Sequence, residues 1–189
     1  MGYETAILHT AARQLSVYYK NSDEIVQSVM NHALAAAGSA ALSGALPGAG
    51  STIAIGVSTG IIVKMYVSLG KMLGIHIGNG VLKAMASALV ADVAGSVAAS
   101  LGASTILSFV PGIGTLGAAA ITGITNFGYV YLAGIIYIKM ITKILESGKS
   151  ISNMSEEEIL KELKKTTNTV NMKEAMKEAK TAYKNSKKE

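Results

Sequence analysis

Leu46-Pro47-Gly48-Ala49-Gly50-Ser51 and Val110-Pro111-Gly112-Ile113-Gly114-Thr115 hold both prolines of the chain, 64 residues apart. The correspondence extends outward: Gly38 matches Gly102, Ala54 matches Ala118, Ser58 matches Thr122 and Gly70 matches Gly134. A fixed offset of this kind is the mark of an internal repeat. Each copy reads as helix, turn, helix. Proline removes a backbone donor and clashes with the preceding turn, so it ends the first helix. Gly48 and Gly50, like Gly112 and Gly114, then supply the backbone freedom that a reversal needs. The expected fold is all-α: two tandem helix–Pro-Gly-x-Gly–helix hydrophobic hairpins with amphipathic helices at both ends. Helices are expected over about 4–19, 23–45, 50–73, 81–109, 113–146, 155–165 and 171–185. Ser22 is the expected N-cap of the second helix. Ser155 with Glu158 forms a capping box, and Asn171 with Glu174 resembles one.

Composition fits such hairpins. Of 189 residues, 50% are hydrophobic but only 5% are aromatic and 15% charged, and 20 are glycine. An ordinary soluble domain carries about 25% charge. The absence of cysteine excludes a disulfide framework, a thiolate metal site and a cysteine nucleophile. Small apolar residues without tryptophan leave close-packed helices, in a membrane or in a tight core.

The net charge of +5 is unevenly spread. Residues 33–63 and 93–138 contain no Asp, Glu, Lys or Arg, whereas 150–189 hold nine Lys and seven Glu. Composition therefore divides the chain into an amphipathic N-terminal helix (1–22), a hydrophobic two-hairpin membrane region (23–148) and a charged cytoplasmic helical tail (149–189). The arms of hairpin one, 33–46 and 51–63, reach about 20 Å at 1.5 Å per residue. A bilayer core needs about 30 Å, so hairpin one is short, while the arms of hairpin two are long enough to cross.

The Pro-Gly turns carry no charge. Lys64, Lys71, Lys83, Lys139 and Lys143 lie toward the other ends of the arms. The positive-inside tendency places those ends and both termini in the cytoplasm, with the lysines facing anionic headgroups. Tyr129, Tyr131 and Tyr137 read as interfacial aromatics. Gly56, Gly60, Gly70, Gly74, Gly123 and Gly128 are expected to let helices approach closely, within the protomer and in a homo-oligomer. Asp92 is the candidate intramembrane acid; its simpler reading is an interfacial group paired with Lys64 or Lys71.

No catalytic constellation emerges. Gly112-x-Gly114-x-x-Gly117 matches a dinucleotide fingerprint in letters, but no acidic residue follows at the required distance and Ile53 breaks it in the sister copy. Gly148-Lys149-Ser150 imitates a P-loop end without its first glycine. His9, His32 and His76 lack ligand-spaced partners. No enzyme activity, cofactor, metal or nucleic-acid partner is expected. Neither a secretory signal nor a myristoylation signal is read at the N-terminus.

Leu46-Pro47-Gly48-Ala49-Gly50, then Met65, Leu69 and Leu73-Gly74-Ile75, then Val110 to Thr115 leading into Thr122 to Gly134, resembles a helical domain of unknown function. That domain occurs behind Era-type GTPase domains and in YcjF-like bacterial membrane proteins. The resemblance covers about residues 25–140. Ser51 and Thr52 stand where the family often has an acid, and no GTPase domain is present. The resemblance implies membrane association beside a GTPase partner, reached through the tail, and supplies no catalytic residue.

The resulting expectation is a non-enzymatic, membrane-embedded scaffold or anchor inserted from the cytoplasmic side. A pore- or channel-forming protein is the alternative, with Ser51, Thr52, Ser58, Thr59, Thr122, Thr125 and Asn126 as its polar stripe. A soluble helical bundle that binds lipid is the third reading.

Overall fold

The computed structural model describes residues 5–43, 50–108 and 118–187, with side chains left aside in 40–43, 50–55, 94–108 and 118–122. Among the described residues the protein is all-α. Seven helices follow in order: α1 (Ala6–Leu15), α2 (Ser22–Ser43), α3 (Gly50–Leu73), α4 (Asn79–Ser108), α5 (Ala118–Glu146), α6 (Glu156–Thr167) and α7 (Met172–Ser186). A single 3₁₀ turn, Ile151–Asn153, precedes α6.

The helix ends follow local chemistry. α3 stops at Gly74, whose φ of +66° is the left-handed conformation that favours glycine. The Ile75 amide donates to the Gly70 carbonyl (2.8 Å) and the Gly74 amide to the Lys71 carbonyl (3.3 Å), a Schellman closure. Gly148, at φ +70°, ends α5 in the same way. Ser155 and Glu158 exchange both bonds of a capping box, and Asn171 accepts from the Glu174 amide. At α2 the cap is Asn21 rather than Ser22. Its side-chain oxygen accepts from the Glu24 amide at 3.4 Å while its amide group donates to the Glu24 carboxylate. α1 is shorter than expected: beyond Leu15 the chain turns, leaving Val17 81% and Tyr18 48% exposed.

α5 is the hub and touches all six other helices. Nine consecutive residues, Val130 to Ile138, are buried. A helix apolar all round needs this wrapping, or lipid in its place. The segment Gly123–Glu146 is long and apolar enough to cross a membrane, yet 78% of its most apolar window lies inside the protein. The apolar run expected to cross the bilayer is thus covered by protein from Gly123 onward.

Neighbours on α5 fix helix directions. Ala37 of α2 meets Gly123, and Val29 meets Gly134, so α2 runs antiparallel to α5. Ser58 of α3 bonds Asn126, and Tyr66 stacks on Tyr137 at 4.5 Å, so α3 runs parallel to it. The turns at 44–49 and 109–117, with Pro47, Gly48, Pro111, Gly112 and Gly114, lie outside the described residues.

The charged tail packs on the bundle. α6 buries Ile159 and Leu163, and α7 buries Ala175, Ala179 and Ala182, spaced as one helical face. That small-residue face lets α7 lie close to α5. The Met176 sulfur comes within 2.7 Å of where a Gly128 side chain would begin, and Tyr183 packs against Phe127 with ring centres 5.3 Å apart.

Candidate functional site

Three features of the α5 hub carry specific chemistry. The first joins the chain ends. The Glu178 carboxylate, on α7, accepts from the backbone amides of Ile7 (2.8 Å) and Leu8 (3.1 Å) at the start of α1. It also accepts from the Tyr131 hydroxyl of α5 (2.6 Å). The first turn of a helix has unpaired amides and a partial positive charge, so a carboxylate there is favourable twice over. Burial, and then the adjacent Glu178, push the Tyr131 phenol well above its ordinary pKa, so it stays a donor.

The second is a polar pair in the core. The Ser58 hydroxyl donates to the Asn126 side-chain oxygen, and both residues are buried. Buried polar groups of this sort fix the register of two helices, because any slip leaves both unpaired.

The third is the Tyr66–Tyr137 stack. Tyr66 reaches the Ala133 carbonyl at 3.4 Å. The Tyr137 hydroxyl is buried and has no partner. Beside it lies a cavity of about 110 Å³ at the α3–α4 turn. Burial pushes both phenols up, so each keeps its proton.

The residues singled out from the sequence fall into distinct places. Lys64, Lys71, Lys83 and Lys143 are exposed and Lys139 is half-buried. Gly70 sits where an added carbon would come within 2.9 Å of the Ile75 carbonyl, and Gly123 where one would meet the Ala37 carbonyl at 3.2 Å. Gly128 is closed off by Met176. Gly74 serves the end of α3 by its backbone conformation, with nothing near its open side. Gly56 and Gly60 also have nothing within 4 Å, and both are exposed on α3. Gly50 is the first residue of α3.

Asp92 is exposed and lines a groove with Lys164, Thr167, Asn168, Val170 and Met172 of the α6–α7 junction. The groove thus sets Asp92 beside the α6–α7 junction of the tail. Tyr131 and Tyr137 are fully buried and Tyr129 is half-buried, so protein covers them where headgroups were expected. Among the described residues no group of three or more His, Asp or Glu is placed to hold a metal.

Sequence reasoning missed Gly134, the tightest of these approaches: a carbon added there would meet the Val29 methyls at 2.5 and 2.7 Å. The signal was present, since Gly134 is the 64-residue counterpart of Gly70 and both are close-approach positions.

If Gly56 and Gly60 form a surface for a second copy, Gly56→Leu with Gly60→Leu should leave the fold intact and lower the oligomer size. Circular dichroism and light scattering would read the two properties; an unchanged mass would remove that role. No family of known proteins matches the chain, nor does any curated protein or solved structure.

Proposed function

We propose that the protein is a non-enzymatic membrane scaffold or anchor whose folded, charged base lies on the cytoplasmic face. In this reading two Pro-Gly hairpins enter the bilayer from that side. The observation that carries it is the segregation of charge along the long helices. Residues 33–63 and 93–138 hold no acidic or basic side chain. The most highly charged helices, α6 and α7, pack against the Gly123–Glu146 part of α5, and Tyr183 of α7 reaches Gly123. A bilayer cannot surround that part of α5 while a lysine-bearing helix lies along it.

What is left for lipid is short. From Ala37 to the end of α2, and from the start of α5 to Gly123, the helices run about 8–9 Å at 1.5 Å per residue, and α4 runs about 22 Å from Val93 to Ser108. These lengths fall short of the roughly 30 Å of a bilayer core, which favours insertion from one side over a full crossing. Wedge-like insertion from one side suits a scaffold, with self-association at the Gly56–Gly60 face. The exposed lysines of the base meet anionic headgroups. The outer faces of α6 and α7 meet a cytoplasmic protein, a GTPase being the class that the short-motif resemblance implies.

A pore asks for a free polar stripe. Ser58 and Asn126 are bonded to each other inside the protomer, which speaks for the scaffold. The cover over α5 favours one further reading, a soluble bundle.

Flotation with vesicles containing anionic lipid separates these readings. The wild-type chain should float and resist carbonate, and the double change Leu46→Asp and Ile113→Asp should drop flotation at least tenfold. A charge at the centre of a membrane helix costs about 3 kcal/mol, more than enough for that loss. Recovery of the wild-type chain in the soluble fraction would sink the membrane reading in favour of the bundle. Dye release at low protein-to-lipid ratio would favour the pore.

A further inference from the structure

The cavity at the α3–α4 turn is built from unlike parts. Its floor is buried: Gly70, Tyr66 and Tyr137. Its mouth carries the exposed side chains of Lys71, His76 and Asn79. Gly70 keeps the floor open, since its missing side chain would begin 3.7 Å from the Tyr137 hydroxyl. Asn79 is also the first residue of α4, a helix reaching to Ser108. Leu82 makes the first bond of that helix, to the Gly78 carbonyl at 3.0 Å. The amides before it form the positive end of a long helix dipole, the usual seat of an anion.

The second, independent observation is Tyr137. Its hydroxyl is sealed in the core with no hydrogen-bond partner. Leaving a buried donor unmade is costly, so such a group asks for a partner. A phenol that keeps its proton offers a donor, and Lys71 at the mouth of the cavity offers donors and positive charge. The volume suits a few waters or one small tetrahedral ion.

We infer that this cavity binds the phosphate group of a small ligand, with Tyr137, Lys71 and the α4 N-terminus as its donors. The site is independent of how the hairpin tips meet lipid. The group can be inorganic phosphate or a phosphomonoester in solution, or the headgroup of a phosphatidic-acid-type lipid.

The test uses the full chain. Inorganic phosphate, titrated against chloride at matched ionic strength, should raise the melting temperature saturably. In an amide NMR spectrum it should shift the Asn79 and Gly80 signals. Tyr137→Phe removes only the hydroxyl, and Lys71→Ala changes only an exposed side chain. Each should weaken phosphate binding on the order of tenfold, the worth of one hydrogen bond to a charged group. Tyr137→Phe should at the same time leave the phosphate-free protein as stable as before or more so, because an unpaired hydroxyl is gone.

Vesicles with and without phosphatidic acid distinguish the source. If both variants lose flotation on phosphatidic acid beyond their loss on other anionic lipid, the ligand is the headgroup. If only the solution titration responds, it is a free phosphate. Absence of a phosphate effect over chloride, with no variant effect on phosphatidic-acid vesicles, overturns the site. So does phosphate stabilisation equal in wild type and both variants.

Discussion

Gly134→Leu should be the most damaging single change in the base. A side chain at 134 begins 2.5 Å from one Val29 methyl and 2.7 Å from the other, so α2 and α5 have to separate. Overpacking of this kind costs about 3 kcal/mol or more, and the gain in helix propensity on replacing glycine returns only about 1 kcal/mol. The melting temperature should fall by roughly 5 °C or more, taking about 2–4 °C per kcal/mol for a chain of this size. A double-mutant cycle checks the cause. Gly134→Ala alone should destabilise, and Val29→Ala should rescue part of that loss, although on its own it opens a cavity. Additive effects would mean that the two positions do not meet. Gly128→Ala makes an internal comparison: its obstacle is the flexible thioether of Met176, which can swing away, so its cost should be smaller.

Glu178→Ala should rank beside it. One carboxylate accepts from two amides of α1 and from the Tyr131 hydroxyl. Its loss strands a buried phenol and uncaps a ten-residue helix. Hydrogen bonds to a charged group contribute about 1.5–3 kcal/mol, and the α1 amides can turn to water, so the net cost should be about 2–4 kcal/mol. Urea denaturation would measure it. Hydrogen exchange should show α1 opening before the rest of the base, since that helix depends on the bond most directly. Tyr131→Phe alone should cost less than Glu178→Ala, because the carboxylate keeps both amides. Equal stability of Glu178→Ala and wild type would mean that α7 holds α1 by apolar contact alone.

Helix order and most helix ends among the described residues were legible from the sequence, the end of α1 excepted. Period and punctuation carry that information locally: Gly74, Gly148, Ser155 and Asn171 each act on the few residues around them. What covers α5 was not legible. An apolar run with tyrosines near its lysine-bearing end has the same pattern whether lipid headgroups or other helices lie against it. Tyr131 and Tyr137 looked interfacial for that reason and are core residues. α7 announced a buried stripe in Ala175, Ala179 and Ala182, but a stripe does not name its partner. Only Gly128 and Met176, or Glu178 and the amides of residues 7 and 8, seen together, identify it. The Asn21 cap was missed because Asn21 and Ser22 are equally good cap residues side by side. The Tyr66–Tyr137 cavity had no local signature, since its walls come from three helices and the turn between two of them.

The bond between Glu178 and the start of α1 also sets an order of events during synthesis. α1 is completed by a residue 171 positions further along the chain. While α7 is still in the exit tunnel, the Phe127 and Gly128 flank of α5 is uncovered, and the leading amides of α1 have only water to bond. Exposed apolar surface in a growing chain invites aggregation. Until α7 packs against it, that flank of α5 is the surface on which the growing chain is most open to wrong contacts.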